Sequence, residues 1–396
     1  MIRFLTRPSE TTKSTSRVAF RLLNSLCGSN GNVCVSPLSI AIALQLVLCG
    51  AAGKTLEEIL QSLDIHCAGR EDLARDYYES MRFLLDQSRV TGFEGEGAGV
   101  RFAVANSIWC DERVSLHPGF VDYLQRYYAA DARSMNFADG ETLKVINGWV
   151  SAKTGGKIPY ILNGLDPAQI LVLINCAYFK ATWASEFSPL YTRKDNFYLS
   201  PQEPIQVQMM RKETKLWYYR DQSCEIAELP YTDLRFAMYV ILPAMGTSLK
   251  HFVAGFSQEQ YWRTLSQLSE HMGEFSMPRF KFHCGLYLVS QLEQLGIHEA
   301  FSDKANFWNM LVPNQPGLPF FKIDEVVHKT FIEVDENGTE AAAATAVAMT
   351  SGFLQPAAPP PFKMIVDRPF MFVISERESG AILFAGSVAD PRSAGT

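Results

Sequence analysis

The apolar positions of this chain change their spacing along its length. In the N-terminal part they recur at helical intervals, and further on they come in short, branched and aromatic runs of the kind that form strands. Residues 13–27, with Val18, Phe20, Leu22, Leu23 and Leu26, predict an amphipathic helix. A strongly apolar helix is expected over 38–49, after Ser36-Pro37-Leu38-Ser39. Two more follow at 54–64 and 71–87, the second carrying Tyr77, Tyr78, Met81, Phe83 and Leu84. Gly92, Gly95, Gly97 and Gly99 mark a loop. A strand is expected at 100–109, then helices near 117–128 and 139–154. Ile170 to Tyr178 is a nearly continuous apolar run, which predicts a strand buried on both faces. Further strands are expected at 205–220, 224–230, 235–243, 276–284, 320–335, 362–375 and 381–389, with short helices at 257–269 and 287–295. With no linker and no internal repeat, residues 1–396 read as one α+β domain.

One segment fits neither spacing. From Glu336 the chain runs Glu336-Asn337-Gly338-Thr339-Glu340-Ala341-Ala342-Ala343-Ala344-Thr345-Ala346-Val347-Ala348. After Glu340 it holds no charge, no proline and no large side chain before Met349. Alanine forms strands poorly and helices well, yet no apolar position recurs here to bury a helix face. Such a stretch suits a loop that can slide into a crowded slot between two strands. The residues after it, Met349 to Pro361, end in prolines that stiffen the chain toward an extended form. A protease cleft binds an extended segment as an added strand; an ordinary surface linker is the alternative reading.

Composition narrows the classes. The chain is 47% hydrophobic and 20% charged, enough for a large core. A net charge of −6 with no lysine-arginine block argues against nucleic acid as a partner. The longest apolar run, Leu38 to Cys49, contains Ser39 and Gln45 and is too short to span a bilayer, so no membrane partner is expected. Arg3 and Arg7 interrupt the N-terminus and no apolar stretch of a signal peptide follows, so a cytoplasmic location is expected, with unconventional release to the exterior as the alternative. None of the eight cysteines forms a C-x-x-C pair, which reads as buried free thiols in a reducing compartment. The one sequon, Asn337-Gly338-Thr339, falls in the small-residue segment, where a glycan would block entry into a sheet.

Catalytic motifs are missing. There is no Gly-x-Ser-x-Gly, Walker A or Gly-x-Gly-x-x-Gly motif, and no His-Glu-x-x-His: His298-Glu299 has Ser302 where the second histidine should stand. No enzymatic activity, cofactor or metal is expected. His328 lies in the strand-like run Val326-Val327-His328-Lys329-Thr330-Phe331, where a structural role is the plain reading.

Several segments in order resemble the serpins. Glu336 to Glu340 followed by four alanines resembles their proximal hinge, and Ile365-Val366-Asp367-Arg368-Pro369-Phe370-Met371-Phe372-Val373-Ile374 their signature. Asn32 to Ile40 is similar to the start of the family's helix B, and Asn175-Cys176-Ala177-Tyr178-Phe179-Lys180-Ala181-Thr182-Trp183 to the third strand of its large sheet, with Ala181 in place of a usual glycine. Leu229-Pro230-Tyr231, Leu242-Pro243 and Pro278-Arg279-Phe280 also fall in place, and the resemblance covers roughly residues 15–392.

The resemblance implies three β-sheets, about eight or nine helices and an exposed reactive-centre loop, here about residues 336–362. It implies a metastable, monomeric inhibitor of serine proteases that is cleaved in this loop and held to its target as a covalent acyl-enzyme. The cleaved loop then inserts into the main sheet. By matching, Glu336, Gly338, Thr339, Glu340, Ala341, Ala342, Ala343 and Ala344 form the hinge. Ser36, Ser39, Asn175 and His328 resemble the family's shutter beneath the sheet. Trp183 and Arg279 mark the breach where the strand enters, with Arg279 expected to pair with Glu336. The family's loop length puts the reactive bond between Gly352 and Phe353, with Met349, Ser351 and Leu354 as alternative specificity residues. No lysine, arginine or aspartate occurs between Asn337 and Phe362, which favours a chymotrypsin- or elastase-like target over a trypsin-like enzyme or a caspase. Mixed charges around 70–89 argue against heparin binding. The alternatives are a non-inhibitory serpin acting as carrier or chaperone, and a cross-class inhibitor of papain-like cysteine proteases.

Overall fold

The computed structural model describes residues 10–26, 31–65, 100–313, 320–339 and 360–393. The expected helix at 71–87, the glycine loop at 92–99 and the hinge and loop from Glu340 to Pro359 lie outside the described residues. Within them are eight α-helices and fifteen strands, an α+β fold. Helix α1 spans Glu10–Leu26, α2 Pro37–Leu48 and α3 Gly53–Ser62. Ser36 caps α2 by accepting from the Ser39 N–H, and Pro37 takes the first turn, where its missing N–H costs nothing. All twelve residues of α2 are buried.

The strands are β1 Val33–Val35, β2 Arg101–Asp111, β3 Asp131–Met135, β4 Leu171–Thr182, β5 Arg193–Ser200, β6 Glu203–Arg220, β7 Cys224–Pro230 and β8 Phe236–Pro243. They continue with β9 Ser269–Pro278, β10 Phe280–Tyr287, β11 Glu325–Val334, β12 Gly338–Thr339, β13 Phe362–Ile365, β14 Phe370–Glu376 and β15 Ile382–Val388. Hydrogen bonding joins them into two networks. One has the order β10-β11-β12-β4-β2-β3; the other runs β1-β15-β14-β8-β7-β6-β9-β13, with β5 on β6. The second has two lobes that share the 18-residue strand β6, which pairs with β5 and β9 through most of its length and with β7 at its end. Counting the lobes separately gives the three sheets expected.

Strand β4 shows why the long apolar run at 170–178 is buried on both faces. Its residues Leu171, Leu173, Ala177, Phe179 and Ala181 face the cores shared with α2 and the second network. Val172, Ile174, Cys176 and Tyr178 point the other way, into a layer with Ile146 and Val150 of the helix Gly140–Lys153. That helix covers the outer face of the six-stranded sheet.

Two expected strands prove to be pairs. The run at 276–284 divides at Arg279, so that β9 belongs to the nine-stranded network and β10 to the six-stranded sheet. The run at 362–375 divides around Asp367-Arg368-Pro369, where proline has no N–H to offer a ladder. Strands β1, β3 and β5 and the helix Leu249–Gly255 have too short or too polar a pattern to stand out in the sequence.

Candidate functional site: the mouth and floor of the six-stranded sheet

Strands β4 and β11 run parallel and pair directly from Val172↔Glu325 to Tyr178↔Phe331. At one end they part. There β12 lies antiparallel between them, with Thr339 opposite Val334 on one side and Ala181 on the other, and Gly338 opposite Thr182. Gly338 and Thr339 therefore form a two-residue strand between β4 and β11, and those two strands pair directly beyond it.

The slot is narrow. A Cβ at Gly338 would stand 2.1 Å from the Ala181 carbonyl oxygen, so only glycine allows this approach. Thr339 is 0% exposed, and its hydroxyl hydrogen-bonds with that of Tyr231 at 2.7 Å. Tyr231 stacks on Trp183 with centroids 4.8 Å apart and planes 9° apart. Trp183 is tied to the hinge twice: its backbone N–H donates to the Asn337 carbonyl at 2.8 Å and its indole N–H to the Asp335 carbonyl at 3.0 Å. Asp335 also accepts from the backbone N–H groups of Asn337 and Gly338.

Glu336 is buried at 3% exposure. Arg279 Nε donates to its Oε1 at 2.8 Å, Arg279 Nη2 donates to the same oxygen, and the Thr192 hydroxyl is a third donor. Burial acts to raise the carboxyl, but the bonds from Arg279 and Thr192 outweigh it and hold its pKa below the ordinary value. Arg279 and Trp183 thus both contact the hinge.

The floor of the sheet is polar where the strands meet α2. His328 on β11, Asn175 on β4 and Asn106 on β2 lie side by side across three strands. The Ser36 backbone N–H donates to His328 Nε2 at 3.1 Å, and His328 Nδ1 contacts Asn175 Oδ1. An acceptor at one ring nitrogen and a donor at the other identify the neutral imidazole with its proton on Nδ1. Full burial lowers the His328 pKa to about 3, so it stays neutral. Asn175 Nδ2 donates to the Ser39 carbonyl at 2.8 Å and lies within hydrogen-bond reach of Ser39 Oγ and Asn106 Oδ1.

The structure brings Ser36, Ser39, Asn175 and His328 into one buried cluster, and Glu336, Gly338, Thr339, Trp183 and Arg279 into another. Sequence reading missed Asn106, Thr192, Asp335 and Tyr231 as members. Tyr231 had a signal, the Leu229-Pro230-Tyr231 motif; the others sit in unremarkable polar contexts. Glu340, Ala341, Ala342, Ala343, Ala344, Met349, Ser351, Gly352, Phe353 and Leu354 lie outside the described residues.

Comparison with known proteins agrees with this architecture. The family model described as Serpin (serine protease inhibitor) matches residues 13–391. An uncharacterised serpin-like protein of Thermococcus kodakarensis is 34% identical over 379 residues, 94% of this chain and 84% of the relative. Serpin B8 of Homo sapiens is 33% identical over 371 residues, 91% of this chain and 93% of that protein. Among solved structures, the thermophilic serpin tengpin in its native state superposes with a TM-score of 0.84 at 28% identity, covering 98% of this chain and 96% of that one. Thyroxine-binding globulin in complex with thyroxine shares the fold, with a TM-score of 0.82 at 24% identity, covering 97% of this chain and 100% of that one. The chain belongs to the serpin family, whose members are in general protease inhibitors rather than enzymes.

Proposed function

We propose that this chain inhibits serine proteases by suicide trapping. The target's serine attacks the carbonyl of the loop's reactive residue, an ester forms and the amine of the next residue leaves. The new loop end then inserts between β4 and β11 and carries the enzyme with it. One observation supports this reading above the others. Thr339 is already buried at the open end of a sheet whose strands pair directly below it, so the hinge stands as the first step of a sixth strand.

The register extends the argument. Thr339 faces Val334 and Ala181, so each residue further along an inserting antiparallel strand meets one residue further back on both neighbours. Thr345 then arrives opposite both His328 and Asn175. Their Cα strands separate from roughly 4.8 Å to about 9.6 Å, so the direct imidazole–amide contact breaks. The Thr345 hydroxyl, donor and acceptor at once, offers each of them a replacement partner. The 14 residues from Thr339 to Gly352 span about 46 Å at roughly 3.3 Å each, enough to cross a domain of this size.

Gly352-Phe353 is the reactive bond of this reading, with Phe353, Met349, Ser351 or Leu354 setting preference if the register shifts. The target is chymotrypsin- or elastase-like. The protein acts as a monomer in the cytoplasm, a placement supported by six free cysteines among the described residues. Burial pushes the Cys176 thiol up to about 12 and the Cys284 thiol up to about 11, which makes both unreactive.

Incubation with chymotrypsin, elastase and trypsin should give an SDS-stable complex with one of the first two and none with trypsin. Sequencing the released C-terminal peptide identifies the bond. If every enzyme cuts the loop and no complex survives, the trapping reading is wrong and a carrier or chaperone role takes its place. A complex with papain alone would assign a cross-class inhibitor.

A further inference from the structure

Beside the hinge pair lies a cleft of about 230 Å³ bordered by Lys194, Gln206, Gln208, Arg279 and Arg392. Three segments build it. Lys194 of β5 pairs across to Gln208 of β6, the Arg279 backbone N–H donates to the Gln208 carbonyl at 3.0 Å, and Arg392 comes from the turn after β15. Three cations thus converge on a chain that is acidic as a whole.

Val207 and Pro391 give the cleft an apolar floor, and among its polar groups donors outnumber acceptors. Arg279 spends Nε and Nη2 on Glu336, and Arg392 spends Nε and Nη2 on Asp390, at 3.2 and 2.9 Å. Neither Nη1 has a hydrogen bond among the described residues. Lys194 has no ion-pair partner there, and the Gln208 side-chain amide has no partner either. Glu203 also acts on Arg392 electrostatically, so with Glu336 and Asp390 three carboxylates offset the three cations, and what the cleft offers a ligand is directed donors rather than net charge. The volume lies below the roughly 300–1,000 Å³ of drug-sized sites, which points to a small ligand. Oxygen atoms arranged around a phosphoryl group match guanidinium edges and an ammonium together.

We propose that this cleft is a binding site for a small phosphoryl anion, of the size of pyrophosphate, held by Lys194, Arg392, Gln208 and the free edge of Arg279. The site goes beyond protease trapping, and its binding is independent of it. Because Arg279 would hold the ligand by one edge and Glu336 by the other, hinge carboxylate and ligand share one cation. Removing the Glu336 charge should therefore strengthen ligand binding.

Titration calorimetry of the full chain with inorganic pyrophosphate at low salt tests this without any protease, so a failed trapping assay does not bear on it. Pyrophosphate should bind, and the double substitution Lys194→Gln with Arg392→Gln should weaken binding at least about tenfold. Both side chains are exposed, so the variant should keep its unfolding midpoint. Glu336→Gln should tighten binding by about threefold or more, and 0.5 M salt should weaken it strongly. Equal binding by the double variant would mean an adventitious ion only and overturn the proposal. So would citrate binding as tightly as pyrophosphate, or a heparin fragment binding where pyrophosphate does not.

Discussion

His328 is a buried imidazole that its surroundings keep uncharged. Its folded pKa, lowered by burial to about 3, lies below the unfolded value of about 6.5. The unfolded chain therefore binds the extra proton first. The stability tied to His328 is complete above about pH 6.5 and falls as pH drops toward 3, by up to about 1.4 kcal/mol per unit. Denaturant unfolding between pH 7 and 5.5 should show this slope, and His328→Gln should lack that part of it; identical slopes would refute the assignment. Thr339 makes the complementary case. It is small and wholly buried against Tyr231, so Thr339→Arg would force a charge into a closed slot. The variant should be cut by the target and released, with little SDS-stable complex; unchanged complex yield would contradict the insertion argument. The hinge composition made Thr339 legible in the sequence. Its partner Tyr231 lies 108 residues away, and nothing local in either segment signals the contact.

At the scale of elements, the central fact is that β4 and β11 are neighbours held by parallel pairing and by one polar row. Asn175→Ala would leave the Nδ1–H of His328 and the groups of Ser39 without their partner. The expected cost is about 1–3 kcal/mol for each orphaned buried group, read as a lower unfolding midpoint. Gly338→Ala places a methyl against the Ala181 carbonyl, so β12 should withdraw or shift at a cost of about 1–3 kcal/mol. Faster hydrogen exchange at Thr339 and Trp183 would report it, and unchanged exchange would show that the slot can relax. Most element positions could be read from periodicity, because long helices and buried strands carry strong patterns. The division at Arg279 could not be placed, because apolar residues flank it closely on both sides while the hydrogen-bond partner changes sheet; the one at Asp367-Arg368-Pro369 was legible in its charges and proline.

For the molecule as a whole, the proposed function requires the sheet to accept one more full-length strand between β4 and β11, which now pair directly. Cleavage of an exposed loop normally leaves a protein no more stable than before. Here a single cut in the reactive segment should raise the thermal midpoint by more than about 10 °C, or upward of about 3 kcal/mol at a few degrees per kcal/mol. Calorimetry of the nicked and intact protein decides it; a midpoint that falls would exclude insertion as the outcome of cleavage. Helix Gly140–Lys153 packs Ile146 and Val150 on the outer face of β4 and β11, so under the proposed insertion its packing would have to yield.

The sequence by itself determined the α+β class, most of the elements and the odd composition of the hinge, because these depend on local spacing and side-chain size. It also marked Glu336, Thr339, Trp183 and His328 through ordered motifs. Only the tertiary structure decided that Gly338 and Thr339 pair between β4 and β11, which residues they meet and that Asn106, Asn175 and His328 form one row. Those are contacts between segments far apart in the chain, set by strand register, and register is a property of the assembled sheet rather than of any one strand.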